Sequence, residues 1–409
     1  MRLLGVQIAN GFSPEARVFA GLLRHANADV AAQARVLHHA WNGDIESANK
    51  FVAHSGLTNG AVSCFDFGWR SVAANRSPLE KVQGRLRFIV ALPQALRVAR
   101  MADPDVIYSS QQFWDCQAAT YIARRLKKPQ VIHLHYIVGP WLHAPILRRL
   151  LECEHVITVS DFIREEALNH GVSADRVSTV RNTMLLPAAQ PPSVRYEVRR
   201  ELGIPAEAPL AGIVARVDPS KGQADTINAF AKLTEALPDA RLLIVGAATP
   251  WHPNYLSEMK NLAASLGLGE RVQFLGMRSD VSRLLAAMDV FVHPARKAPC
   301  PLALLEAAAA GLPVVAYAEG GATELVQDGM TGMLVKPGSV EHLSAAMNRL
   351  LSGPAKARAM GQAGQARVGR MQRPEDAGAA FSRLLNDILR ESATPSGQRS
   401  ISAEAVSHG

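Results

Sequence analysis

Arg216 and Lys221 stand on either side of a turn in GIVARVDPSKGQADTINAF, between an apolar strand pattern and a helical one. Cations so placed can point into one loop at the carboxyl edge of a sheet. The free N–H groups of a helix amino terminus beside them also favour negative charge, and the combination suits a diphosphate. The plain alternative is a surface Arg and Lys flanking a connecting turn. Glu306 is the second candidate, because its neighbours Leu304, Leu305, Ala307, Ala308 and Ala309 are all apolar. A carboxylate there must be partnered or face an opening, since burying it alone is costly. Its two oxygens suit the vicinal hydroxyls of a ribose; the alternative is an exposed Glu on the polar face of a helix. The third candidate is the loop in FLGMRSDV, where a strand ends at Gly276. The main chain of Met277 and Arg278 is then free to meet a nucleobase edge, and Asp280 is placed to cap the next helix. Most such loops only connect.

These residues need a frame, and the stretch from His293 to Val335 shows what it is. It reads as a strand end, a loop, a helix opening at Pro301, a buried strand over 312–316 and a Gly-Gly loop. That is part of a parallel α/β layer, which binds ligands at the carboxyl ends of its strands. Earlier strands are expected over 3–8, 106–108, 131–134 and 156–159, with helices between them; the segment 30–76 gives no clear pattern. A second series runs through strands at 210–215, 242–245, 272–275, 290–292 and 313–316, followed by a helical region over 340–390. Short apolar strands between longer helices predict α/β architecture, two Rossmann-like domains with parallel sheets and a cleft between them. The expected divisions are a first domain over 1–185, a proline-rich linker with a short helix over 186–208, and a second domain over 209–375. A terminal helix over 376–391, packing back on the first domain, and a polar tail over 392–409 complete the chain.

The composition fits an ordinary globular protein of two or three domains: 409 residues, 48% hydrophobic and 20% charged. No apolar run is long enough to span a membrane, and the first residues read as a strand rather than a leader. Four scattered cysteines in no metal or redox spacing suggest free thiols in a reducing, cytoplasmic setting. The net charge of +8 is concentrated between Arg70 and Lys128, with eleven basic and four acidic residues. Aromatics at 6%, without a binding motif, argue against nucleic acid.

Taken together, GIVARVDPSKG, FLGMRSDV, PLALLEAAAAGLPVVA and GGATELVQDGMTGMLV resemble the retaining glycosyltransferases of family four, in the family's order and approximate spacing. The match is dense from about 210 to 351. It is weaker in the first half, at DPDVIYSS, PQVIHLHY and HVITVSDFIREEALNHG. The resemblance implies a GT-B fold and transfer of a hexose from UDP- or GDP-sugar to a saccharide or lipid-linked saccharide acceptor, in surface polysaccharide or glycoconjugate synthesis. It implies neither cofactor nor metal. By resemblance, Arg216 and Lys221 hold the diphosphate and stabilise the leaving group, Glu306 holds the ribose, and the Met277 and Arg278 main chain meets the base. His135 faces the transferred sugar, with His133 on the same strand face as the competing candidate.

Two departures from the family pattern stand out. The family's first glutamate corresponds to Ala298 in APCPLALLE, and Pro301 takes a usual glycine position, leaving the amides of Cys300 and Leu302 to contact phosphate or sugar. The first loop, ANGFSPEARVFAGL, carries only Gly11 where the family has a Gly-Gly turn at the diphosphate. The missing carboxylate could be dispensable or replaced by Lys297, Glu319 or a main-chain dipole. Otherwise the chain binds its nucleotide-sugar without turning it over and serves as a partner or regulator. Finally, LEKVQGRLRFIVALPQALRVARM mixes cations with apolar residues as interfacial helices do, which suggests docking on the inner face of an anionic membrane. Its Pro93 is expected to break or kink it.

Overall fold

The computed structural model describes residues 1–8, 12–40, 45–68, 77–139, 144–182, 189–371 and 373–393. The chain divides into two units, one comprising 1–183 and the segment from 374 onward, the other 184–373. The first unit holds β1 (Leu3–Gln7), β2 (Arg35–His39), β3 (Val62–Phe65), β4 (Val106–Ser110), β5 (Gln130–Leu134), β6 (His155–Thr158) and β7 (Val177–Thr179). Their order across the sheet is β3-β2-β1-β4-β5-β6-β7. The second holds β8 (Leu210–Val214), β9 (Arg241–Val245), β10 (Val272–Gly276), β11 (Val290–His293), β12 (Val314–Tyr317) and β13 (Gly332–Val335), in the order β10-β9-β8-β11-β12-β13. Every pairing between these strands is parallel. In each sheet the order reverses beside the first strand, β1 or β8, which creates a switch point at its carboxyl end.

β2 and β3 lie in the segment that gave no sequence pattern. β2 carries an Arg and two His among few apolar residues, and β3 is half-exposed at the sheet edge. Neither has the continuous apolar run that marks a central parallel strand.

The helix Pro374–Ala393 belongs to the first unit. Phe381, Leu385 and Ile388 are buried with Phe19 and Tyr108, and the Asn27 amide donates to Ser382 Oγ at 2.9 Å. A side chain at Gly378 would put its Cβ 2.0 Å from the His25 carbonyl oxygen, so only glycine permits this approach. Within the proline-rich stretch, the helix Pro192–Glu201 is built into the second unit through Val194 and Val198.

The helix Pro78–Ala102 runs unbroken through Pro93. Proline removes one intrahelical hydrogen bond and crowds the preceding turn, at a cost of about 3 kcal/mol. Packing on both sides of Pro93 offsets this: Phe88, Ala91, Ala95, Leu96 and Ala99 are buried against Leu4, Val6 and Ile122. Its start is a full capping box, with Ser77 and Glu80 each accepting from the other's backbone amide.

Among the described residues Arg199 is the largest side chain buried to this degree, at 1% exposure. It donates to the carbonyls of Ala287, Pro205, Ala206 and Ala208 and to Asp289 Oδ2 at 2.9 Å. Asp289 also accepts from the Leu210 amide at 2.8 Å, tying the Pro192–Glu201 helix to the start of β8. Without Arg199, Asp289 would keep Arg195 at 2.7 Å, but the carbonyls of Ala287, Pro205, Ala206 and Ala208 would lose this buried donor. Arg199→Ala is therefore expected to lower the stability of the second unit by about 3 kcal/mol in urea denaturation; an unchanged midpoint would contradict this role.

Candidate functional site

In the second unit the candidate residues gather at the carboxyl ends of β8, β11 and β12, three adjacent strands. Arg216 lies two residues beyond β8 and is exposed; Lys221 ends a 3₁₀ turn (Pro219–Lys221). The helix Gln223–Leu233 then starts at Gly222 with no side-chain cap. Gly222 is left-handed (φ 74°), and a Cβ there would come within 2.5 Å of the Pro294 carbonyl oxygen. The loop after β8 therefore presses on the loop after β11, a contact closed by the Arg296 amide donating to the Ser220 carbonyl at 3.1 Å. On the other side, the Gly321 amide donates to the Ala298 carbonyl at 2.8 Å, and a Cβ on Gly320 or Gly321 would strike the backbone of Ala298 or Pro299. The glycine pair after β12 is what lets these loops meet.

Asp218 organises the first of these loops. It is buried, accepts from Ser220 N at 3.0 Å and Ser220 Oγ at 2.7 Å, and receives Trp251 Nε1 at 2.9 Å and Thr249 Oγ1 at 3.3 Å. Burial alone would push its carboxyl up. The hydrogen bonds from Ser220 and Trp251, with the charge of Arg216, outweigh this and hold it below the ordinary range. Trp251, half exposed, offers its ring to Arg216, whose guanidinium carbon lies 5.3 Å from the ring centroid. Lys221 is lowered by burial first and by Arg216 second, with Asp218 opposing. Among the described residues neither Arg216 nor Lys221 makes an ion pair. Two neighbouring cations, one desolvated and neither neutralised by a direct partner, are poised for an anion.

His293, at the end of β11, is buried beside Lys221, and its Nε2 has no hydrogen-bond partner among the described residues. Ala298 is 4% exposed, and Lys297 before it adopts φ 46°, a left-handed conformation costly for a lysine. Glu319 immediately precedes the glycine pair and lies 3.5 Å from Arg296. Leu302 opens the helix Leu302–Ala309, which has Pro301 at its cap position and no side-chain cap. Glu306 is partly buried on that helix.

The loop after β10 differs from expectation in one respect. Asp280 occupies the cap position, but its carboxylate makes no cap hydrogen bond. It is engaged by Arg278, Nε to Oδ1 and Nη2 to Oδ2, both at 2.7 Å. A charge-assisted bidentate pair outcompetes a single amide for the same oxygens. Arg278 also reaches Glu201, so its side chain is committed to the helix Pro192–Glu201. Met277 is 84% exposed.

In the first unit, His135 follows β5 directly and its ring lies 4.2 Å from that of His133. His133 is fully buried and its Nδ1 pairs with the Tyr108 hydroxyl at 2.8 Å, while its Nε2 has no hydrogen-bond partner among the described residues. His135 is held through its backbone by Gln111 Oε1 at 2.9 Å, and its Nε2 has no hydrogen-bond partner among the described residues. Sequence reasoning missed Glu15, which is buried and accepts from the Tyr136 hydroxyl at 2.6 Å and Gln112 Nε2 at 3.3 Å. Burial pushes Glu15 up, but His135, Tyr136 and Ser13 together hold it below its usual value. Burial drives His135 down to about 4 against the pull of Glu15, so the imidazole is neutral at pH 7. The signal for Glu15 was available: like Glu306, it is a carboxylate at a helix start among apolar residues. Gly11 lies outside the described residues.

Two family profiles match the chain: "Glycosyltransferase Family 4" over 52–184 and "Glycosyl transferases group 1" over 194–367. The GDP-mannose-dependent alpha-(1-6)-phosphatidylinositol monomannoside mannosyltransferase of Mycolicibacterium smegmatis is 33% identical, over 60% of this chain and 66% of the relative. The lipopolysaccharide core biosynthesis mannosyltransferase LpsB of Rhizobium meliloti is 29% identical, over 49% of this chain and 58% of the relative. The chain thus spans about half to two thirds of the length of the curated relatives it matches. Among solved structures, Anabaena HepE in complex with UDP and glucose superposes with a TM-score of 0.77 at 23% identity, over 94% of this chain and 99% of that one. Sucrose-phosphate synthase from Thermosynechococcus elongatus gives 0.74 at 21% identity, over 96% of this chain and all of that one. These likenesses establish a GT-B fold.

Buried neutral histidines make stability depend on pH. His135 and His155 are lowered by burial to about 4 and His293 to about 3, all below the 6.5 of an exposed imidazole. The unfolded chain therefore takes up protons first as the pH falls. This stabilisation is complete above about pH 6.5 and is lost progressively towards pH 4. The thermal unfolding midpoint is expected to drop between pH 7.5 and 5.5; a flat profile would contradict these protonation states. For the cation pair, Trp251→Ala is expected to weaken binding of GDP or UDP by about two- to fivefold, the scale of an exposed cation–π contact. Trp251→Phe should retain most of the affinity, and unchanged binding in the alanine variant would separate Trp251 from the site.

Proposed function

We propose, for a chain that belongs to the family-four glycosyltransferases, transfer of a hexose from a nucleotide-diphosphate sugar to a saccharide or lipid-linked saccharide acceptor, with retention at the anomeric carbon. The observation that carries this reading is the pair Arg216 and Lys221, held by Trp251 and Asp218 without a neutralising ion pair, beside an uncapped helix start. In the transfer, the bond from the anomeric carbon to the β-phosphate oxygen breaks as a bond from the acceptor oxygen forms. The acceptor proton passes to the departing phosphate. Negative charge grows on that phosphate, and two cations fixed in advance stabilise it most where it is greatest. Glu306 takes the ribose hydroxyls and the main chain of Met277 and Arg278 takes the base. Gly11 and the Leu302 amide are assigned to the donor on resemblance alone. The neutral imidazole of His135 faces the sugar, with Glu15 as the group that orients it.

Among the donors, GDP-mannose has the support of the mannosyltransferase relatives, and UDP-hexoses that of the HepE complexes. Relatives named for phosphatidylinositol mannoside and lipopolysaccharide core support an acceptor on a glycolipid or its saccharide. They lend no support to binding without chemistry, so Ala298 is read as a position the reaction tolerates, with Glu319 the carboxylate on the adjoining loop. The charge on Arg216 and Lys221 makes a metal-independent reaction the expected one.

Thermal shift with GDP, UDP and their hexose conjugates tests the site. One nucleotide series is expected to raise the midpoint, and Arg216→Ala or Lys221→Ala to abolish that rise. Turnover of the stabilising donor should persist in EDTA and fall by about a hundredfold in either variant, the scale of losing one preorganised charge stabiliser. A normal shift in both variants would place the diphosphate elsewhere. Binding without hydrolysis or transfer of any donor would overturn the catalytic reading.

A further inference from the structure

The helix Pro78–Ala102 is apolar on two opposite faces. One packs on the first sheet through Phe88, Ala91, Ala95 and Ala99. At about 100° per residue, Leu79, Val82, Leu86, Ile89, Val90 and Pro93 fall on the opposite side. Leu79, Val82, Leu86, Ile89 and Val90 are 65%, 52%, 57%, 61% and 66% exposed. That is a continuous outward stripe along four turns, not the scattered single exposures of an ordinary surface. The same line continues as Arg97 and Arg100; Arg85 flanks it on one side, and Lys81 lies further round on that side, near the helix start. All four cations are exposed, and none makes an ion pair among the described residues. The only acid in the helix, Glu80, is held in the capping box and lies away from the stripe.

We infer that this face is a docking surface for an anionic lipid bilayer, with the apolar stripe entering the head-group boundary and the four cations meeting lipid phosphates. Apolar residues flanked by unpaired cations, with no acid among them, match the chemistry of that boundary. A second copy fits less well. Two such faces brought together would oppose cation to cation with nothing to neutralise them. Among the described residues no helix is long and apolar enough to cross a membrane. The buried face explains how the helix tolerates this exposure: it is anchored in the core, so docking requires no folding of the segment. The inference stands on this face alone and does not depend on the transfer reaction.

The test uses the full chain and vesicles of phosphatidylcholine, alone or in equal parts with phosphatidylglycerol, at physiological salt. Co-sedimentation is expected with the anionic vesicles and to be weak with the neutral ones. The double variant Leu86→Glu/Val90→Glu should reduce binding by at least about tenfold, since two carboxylates would enter the boundary. Lys81→Glu/Arg85→Glu should also reduce it, and by less as salt is raised and the charges are screened. All four positions are exposed, so far-ultraviolet dichroism and nucleotide-induced thermal shift should match the wild type, keeping this test separate from that of the donor site. No vesicle binding by the wild type would overturn the proposal, as would equal binding by Leu86→Glu/Val90→Glu. A dimer in analytical ultracentrifugation that this variant dissolves would assign the face to a second copy instead.

Discussion

The carboxylate of Asp218 accepts from a backbone amide, two hydroxyls and an indole N–H, and those donors come from two different loops. It sits between Arg216 and Lys221 in sequence and lends both a counter-charge without bonding to either. Two cations crowded into one loop repel each other, which is part of why Lys221 is lowered. An acid that paired directly would cancel the charge the site needs. One that is fully occupied by neutral donors offsets the repulsion and leaves the cations available. The rest of the second unit's carboxyl edge is built around that arrangement. Gly222 lets the loop after β11 approach, and the glycine pair after β12 closes on the backbone of Ala298.

Much of the second unit was legible in the sequence because its strands are central, apolar and separated by helical patterns. The turn carrying Arg216 and Lys221, and the helix carrying Glu306, could be placed from local spacing. What brings Trp251 to Arg216 could not. Those residues are joined by a bridge between Val217 and Ala248 beyond the ends of β8 and β9, a tertiary pairing with no local signature. Asp280 illustrates a different failure. Its cap position was legible, but the competition between one amide and the guanidinium of Arg278 is decided by geometry. The same holds for Pro93, where a local rule about helix breaking yields to packing on both sides.

The first unit was less legible for a physical reason. Its strands β2 and β3 are polar or half-exposed, and its candidate centre is assembled from distant segments. Glu15 and Tyr136 meet across 121 positions, and Tyr108 pairs with His133, a tertiary contact with no local signature. The mix of cations and apolar residues on the helix Pro78–Ala102 was legible, but which apolar residues stay outside was not. A helix apolar on two faces looks merely mixed in sequence, and only burial on one side shows that the other is left open.

The central claim is that the second unit recognises a diphosphate through Arg216 and Lys221. Calorimetric titration with a nucleoside diphosphate and the matching monophosphate tests it most directly, because the two ligands share base and ribose and differ in the group those cations would hold. The account predicts that the diphosphate binds at least about tenfold more tightly and that Lys221→Ala erases most of that difference. Equal affinity for the two ligands, or a preference that survives loss of Lys221, would contradict it.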